Sequence, residues 1–327
     1  LYSPDLSKLC DTLGRSQTQR VDFVQRWIEQ LKPIKGIFYD ITSISSYSTN
    51  IDFIEWGYNR DKENLPQLNM GVTFCQNHSL PIYYNFYPGS IVDVTTLKNY
   101  IKYLKIFNLK DVLFVLDRGF FSKANVLEMN NSKSEVSFVL PMPFSLKKVK
   151  TLVKKNKRLL SDPSSAFKYN EEILHYQQSP FEFDGNTFDA HIFFNEKTEV
   201  EQKHNFLSVL FEYEEQFKNK NFKALKEYLQ WRKLNIPEKY REYFKWNKTT
   251  FQIEKNAKKV KAFLCKMGSF VLITNKQHMD KVEVLNLYRQ RDQVEKMFDI
   301  FKNEMDGDRL RSHSQYNTDG RLFIKFV

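Results

Sequence analysis

The sequence predicts an α/β fold: a mixed sheet covered by helices and interrupted by a long insertion. Three observations predict it. The first half reads β-β-β-α-β-α-β, with three meandering strands before helices and strands alternate. The all-apolar run Val112–Leu116 suits a strand buried on both faces. The order then breaks between residues 145 and 266, before a last strand and a long helix resume it.

Taken in order, residues 1–32 predict helix. Phe23, Val24, Trp27, Ile28 and Leu31 form a 3.6-period apolar stripe that stops at Pro33. Residues 36–44, 69–75 and 80–86 are β-rich, the last two joined by the turn-like segment 76–79. Asp93 suits the N-cap of an amphipathic helix carrying Leu97, Tyr100, Ile101 and Leu104. The strand Val112–Leu116 runs directly into Asp117, Arg118 and Gly119. Ser122 caps a second helix, and residues 136–140 make a fifth strand before Pro141. If the strand after the first helix pairs beside strand one, Asp40 and Asp117 become neighbours.

Within the insertion, Lys147, Lys148, Lys150, Lys154, Lys155, Lys157 and Arg158 form a dense basic run. It reads either as a solvated helix face or as a DNA-backbone contact, which would make binding salt-dependent. A hairpin turns at Asp184, Gly185 and Asn186. A charged helical stretch spans 197–233, and Trp231 and Trp246 lie in basic surroundings. Residues 268–274 return to strand, and Asp280 caps the final helix. The predicted organisation is an N-terminal helical segment (1–32), a core in two parts (33–144 and 267–327), and an insertion domain (145–266).

A chain of 327 residues, 41% of them hydrophobic, can bury a sizeable core in one domain or two. Lys and Arg total 50 against 39 Asp and Glu, a net charge of +11 that favours a polyanionic partner, nucleic acid first. Three scattered cysteines form no metal-ligand spacing and fit a reducing compartment. The histidines show no metal spacing either. No apolar run approaches the ~20 residues that span a bilayer, and no signal-peptide pattern opens the chain. It begins without Met and stops inside the apolar run 322–327, which predicts truncation at both ends.

The chemistry centres on the last helix. Tyr288, Arg291, Glu295, Phe298 and Lys302 are separated by 3, 4, 3 and 4 residues, which puts them on one helical face. Asp292 and Asp299 fall off it. Charges on a core-facing side need partners or metals. A helix-borne glutamate facing two strand-borne aspartates suits two-metal phosphoryl transfer. Asp40 would bridge both ions, with Asp117 and Glu295 each holding one. Arg291 and Lys302 would contact phosphates, and Tyr288 would position a phosphate or stack on a base.

The spacing Tyr288-x2-Arg291-x3-Glu295-x6-Lys302 resembles the Tyr-Arg-Glu-Lys signature of DDE transposases from bacterial insertion sequences of the IS-Four type. Residues 39–43 resemble the segment around that family's first aspartate, and residues 116–123 the segment around its second. The resemblance covers roughly residues 34–315. It implies an RNase H-like mixed five-stranded sheet flanked by helices, with a β-rich insertion between the second aspartate and the glutamate. It also implies metal-dependent cleavage and strand transfer at terminal inverted repeats. Two Mg2+ ions are the expected cofactors, with Mn2+ able to substitute. Expected partners are double-stranded DNA, as transposon ends and target, and a second copy in a homodimeric DNA complex. The expected setting is cytoplasmic and nucleoid-associated, with no membrane. In some members an aromatic side chain of the insertion stacks on a flipped base, and the choice between Trp231 and Trp246 stays open. Residues 1–32 stand as a remnant of a DNA-binding region. A nuclease without strand transfer and an inactive DNA-binding remnant remain as alternatives.

Overall fold

The computed structural model describes residues 4–48, 50–91, 93–107, 109, 111–131, 136–218, 220–312 and 314–327. The side chains of Asp93 and Leu104, expected to cap and line the third helix, lie outside the described residues. The chain forms two compact units. The first holds Leu1–Pro141, Pro180–Ala190 and Leu272–Val327; the second holds Met142–Ser179 and His191–Val271.

The first unit opens with helices α1 (Pro4–Arg15) and α2 (Gln17–Leu31), which buries Val24, Ile28 and Leu31 of the expected stripe. Strands β1 (Gly36–Ser46), β2 (Gln67–Cys75) and β3 (Leu80–Pro88) follow as an antiparallel meander. Helix α3 (Asp93–Ile106), strand β4 (Val112–Leu116), helix α4 (Lys123–Met129) and strand β5 (Val136–Pro141) complete the predicted order. Every residue of β4 is buried, as its unbroken apolar run requires.

The insertion then contributes α5 (Lys147–Leu160), β6 (Ala166–Tyr169), β7 (Glu172–Phe183), β8 (Asn186–Phe194), α6 (Glu196–Phe217), α7 (Leu225–Asn235), α8 (Glu238–Arg241), β9 (Phe244–Trp246), β10 (Ile253–Lys255) and α9 (Ala257–Leu264). Its strands are matched by long helices, so it is mixed α/β after β8 rather than mostly β. Asp184 and Gly185 both have positive φ at the β7–β8 turn, the backbone of a two-residue hairpin loop. In the second unit α5 buries Val149, Leu152, Val153 and Leu160, which leaves most of its lysines on the solvent side. Phe206, Leu210, Phe217, Ile236, Tyr243, Phe244 and Met267 form that unit's core.

The chain returns through β11 (Ser269–Thr274), α10 (Lys281–Gln290), α11 (Asp292–Asn303), β12 (Arg309–Leu310) and α12 (Gln315–Phe326). In the first unit the sheet order is β3-β2-β1-β4-β5-β11. β4 is parallel to β1, β5 is parallel to β4, and Leu272 to Thr274 of β11 run antiparallel to β5. Three antiparallel strands continued by two parallel ones, flanked by helices, is the RNase H-like arrangement. α10 lies on β4 and β5, α11 on β1, and α1 on α12. The last contact is close: a Cβ on Gly320 would lie 1.8 Å from the Cys10 carbonyl oxygen.

Candidate active site

Strand register brings the two aspartates together. Tyr39 of β1 pairs with Leu116 of β4, and each is followed by an aspartate, Asp40 and Asp117. On the β4 side of β1, pairing runs from Gly36 to Tyr39 and resumes at Ser45 and Ser46 with the parallel strand β12. Asp40 sits at the start of the opening between these two neighbours. Ligand sites in α/β sheets form in such crevices at the carboxyl ends of parallel strands.

Tyr39 locks the strand just before the site. It is buried, its ring stacks on Tyr100 with centroids 4.3 Å apart, and its hydroxyl meets that of Tyr87 at 3.2 Å. Beyond β4, residues Arg118–Phe120 form one turn of 3-10 helix. Asp117 caps it weakly, accepting from the Gly119 N–H at 3.5 Å. Phe120 is buried against Tyr39, and its carbonyl accepts from the Asn125 side chain at 2.8 Å. The aspartate therefore leaves a fixed turn with its carboxylate half-exposed.

The last helix departs from the sequence expectation. Instead of one continuous face over 288–302, it breaks at Arg291 into α10 and α11. The Arg291 N–H bonds to the Tyr288 carbonyl at 3.3 Å, and the Val294 N–H to the Arg291 carbonyl at 2.9 Å. These are i→i+3 bonds, and the tightened turn interrupts the α-helical ladder. The β2–β3 turn grips both sides of the break. Gln76 donates to Gln290 at 2.7 Å, and Ser79 donates to Gln293 at 3.2 Å.

The Arg291 side chain points from this break into the three carboxylates. Its guanidinium donates to Glu295 at 2.7 Å and lies 3.5 Å from Asp40 and 3.7 Å from Asp117. The structure thus gathers Asp40, Asp117 and Glu295 around one cationic group. Arg291 is only 13% exposed in its side chain. Burial disfavours its charge, but Asp117, Asp40 and Glu295 outweigh burial and raise its pKa. Burial also pushes the Asp40 carboxyl up to about 6, although the Ile41 N–H and Arg291 act to lower it. Among the described residues no three His, Cys, Asp or Glu side chains lie close enough together to hold a metal ion directly. Three carboxylates around a shared centre are nonetheless the hard-oxygen donor set that Mg2+ and Mn2+ favour. The Arg291 guanidinium supplies positive charge there in this structure.

Lys302 lies on α11 but does not join the carboxylates. Its ammonium grips Asp61 at 2.6 and 2.8 Å. Tyr288 is half-buried near Arg291, and burial raises its phenol pKa. Sequence reasoning missed Asp61, and with it Glu63, which pairs with Arg309 of β12 at 2.6 Å. Both acids sit in the long β1–β2 connection, which has no hydrophobic period to mark them. Trp231 packs on Phe217 and Phe222 in the second unit, and Trp246 donates to the Phe222 carbonyl at 3.1 Å.

No helix among the described residues is long and apolar enough to cross a membrane. No curated protein matches the chain. Among solved structures, the piggyBac transposase synaptic complex with hairpin DNA is similar at 9% identity, covering 90% of this chain and 47% of that one, with a TM-score of 0.42. The Mos1 transposase paired-end complex with left transposon end is similar at 13% identity, covering 42% of this chain and 43% of that one, with a TM-score of 0.23. The chain spans less than half the length of these transposases. The sequence profile of the transposase DDE domain matches residues 32–327, and the chain belongs to that family.

Proposed function

We propose that the chain is a DNA transposase that cleaves and joins strands at the terminal inverted repeats of an insertion sequence of the IS-Four type. One observation carries the reading: Asp40 on β1, Asp117 just beyond the adjacent strand β4, and Glu295 on α11 all lie within 3.7 Å of the Arg291 guanidinium. In this proposal Asp40, Asp117 and Glu295 would hold two divalent ions, Mg2+ or Mn2+. Such ions activate an attacking oxygen and stabilise the leaving one at phosphorus.

The other residues of the site position DNA. Arg291 neutralises the carboxylates, and with divalent ions bound its guanidinium would contact a phosphate. Lys302 and Tyr288 flank the scissile strand, with Lys302 exchanging Asp61 for a phosphate. The partners are transposon-end and target DNA, held by a homodimer in a cytoplasmic, nucleoid-associated setting. The net charge of +11 suits that polyanion.

Labelled inverted-repeat ends incubated with Mg2+ or Mn2+ test the proposal. Nicking followed by joining to a target supports it. Nicking alone reassigns the chain as a nuclease, and binding without cleavage reassigns it as a DNA-binding remnant.

A further inference from the structure

We propose that the β1–β2 loop presents Trp56 and Tyr58 as a stacking platform for unpaired bases at a DNA end. The inference rests on the DNA reading above and adds a binding surface to it.

The loop's backbone is held while its rings are not. Glu55 exchanges two backbone hydrogen bonds with Gln67, each 2.9 Å. Gln67 donates to the Tyr58 carbonyl at 2.8 Å, and the buried Asn59 donates to Ser45 at 3.0 Å. Gly57 packs so closely on Gly89 that a Cβ there would lie 1.9 Å from its carbonyl oxygen. Between these anchors Trp56 is 64% exposed and Tyr58 79%. Large rings normally bury most of their surface, and contiguous exposed apolar surface marks interaction sites; Trp56 and Tyr58 stand two residues apart in this loop. The other three tryptophans are partly buried and occupied: Trp27 donates to the Pro81 carbonyl, and Trp231 and Trp246 pack as described.

Position and charge indicate the occupant. Asn59 and Arg60 tie the loop to Ser45 and Ser43, on the strand that carries Asp40. At about 3.3 Å per strand residue, those anchors lie roughly 10–17 Å from Asp40, a few nucleotides away. Arg60 also acts on the Asp40 charge. Of the loop's carboxylates, Glu63 is held by Arg309 of β12 and would stay paired when Lys302 turns to a phosphate. That pair, with Arg60 in the same loop, lessens the repulsion a phosphate backbone meets there. Aromatic rings stack on any base because every base has a π-face. A paired duplex hides those faces in its own stack, so the platform selects unpaired bases.

The test uses the full chain and two probes: a fully paired duplex end, and the same end with its terminal bases mismatched and carrying 2-aminopurine. The unpaired end should bind roughly tenfold tighter and its fluorescence should change on binding. The Trp56→Ala/Tyr58→Ala variant should lose that preference yet keep its affinity for the paired probe, and Trp56→Phe should retain most of the preference. An unchanged preference in the double variant overturns the platform. So does loss of self-association in that variant with the preference intact, which would assign the rings to a second copy. Equal binding of both probes by the unaltered chain overturns the platform alone. No binding of either probe overturns the DNA reading together with it.

Discussion

Arg291 donates to Glu295 at 2.7 Å across one helical turn, at the residue where the helix breaks. The same guanidinium faces Asp40 and Asp117, so one cation is shared by three acids from distant parts of the chain. A metal ion drawn to those acids must compete with Arg291 for their oxygens.

That competition predicts the behaviour of Arg291→Ala. Without metal, the variant leaves the partly buried Asp40 facing the other two acids, with Arg60 the remaining cation that acts on it. Breaking a buried pair costs several kcal/mol, but the exposure of Glu295 and Asp117 reduces the effect here to about 1–3 kcal/mol. Mn2+ should then stabilise the variant more than it stabilises the unaltered chain. Thermal unfolding with and without Mn2+ measures both effects, and equal metal-induced shifts would remove Arg291 from the competition.

Glu295→Gln should keep the helix and most of its packing, because Glu295 is exposed while Val294, Phe298 and Phe301 supply the buried contacts of α11. Its amide cannot supply the anionic oxygen. Loss of a group that merely supports a metal ligand costs about 10–100-fold, so loss of a ligand should cost cleavage more than about 100-fold. DNA binding should be nearly unchanged in a gel-shift titration. Retained cleavage would reject Glu295 as a ligand.

The Asp40 carboxyl, raised by burial to about 6, predicts two pH effects of defined sign. Metal needs the carboxylate, so metal affinity and cleavage should fall as pH drops through about 6. Stability of the metal-free chain should move the other way. The folded state holds a proton on Asp40 more tightly than the unfolded state does, so this group's contribution grows as pH falls from about 6 toward the unfolded value. Asp40→Asn should abolish that component of the pH profile in metal-free thermal unfolding. An identical profile in the variant would show that Asp40 does not titrate there.

Lys302 is tied to Asp61 in a pair whose acid is partly exposed, so Lys302→Ala should cost at most about 1 kcal/mol of stability. If it exchanges Asp61 for a phosphate, the variant should bind all DNA sequences more weakly. Its salt slope should also fall by about one. A salt titration of binding reads this directly, and an unchanged slope counts against the phosphate role.

Some of this architecture was legible in the chain and some was not, for physical reasons. β4 announces itself because a strand buried on both faces must be apolar throughout. Once β4 is parallel to β1, the juxtaposition of Asp40 and Asp117 follows from where each run ends. The caps Ser122 and Asp280 act as expected, accepting from Asn125 and Val282. The break at Arg291 was hidden, because no Gly or Pro stands near it and the 3.6 period continues through it. What sets the break is tertiary: Gln76 and Ser79 hold its flanks, and the carboxylates hold its side chain. The Lys302–Asp61 pair joins residues 241 positions apart through a loop with no periodic signal. β12, two residues long, is too short for any pattern to register.

The most direct test of the central claim is a crystal structure of the chain grown with Mn2+, read by anomalous scattering at the metal edge. Mn2+ should be bound by Asp40, Asp117 and Glu295, with the Arg291 guanidinium moved off those carboxylates. Mn2+ bound elsewhere, or Arg291 still seated among the three acids at saturating metal, would contradict it.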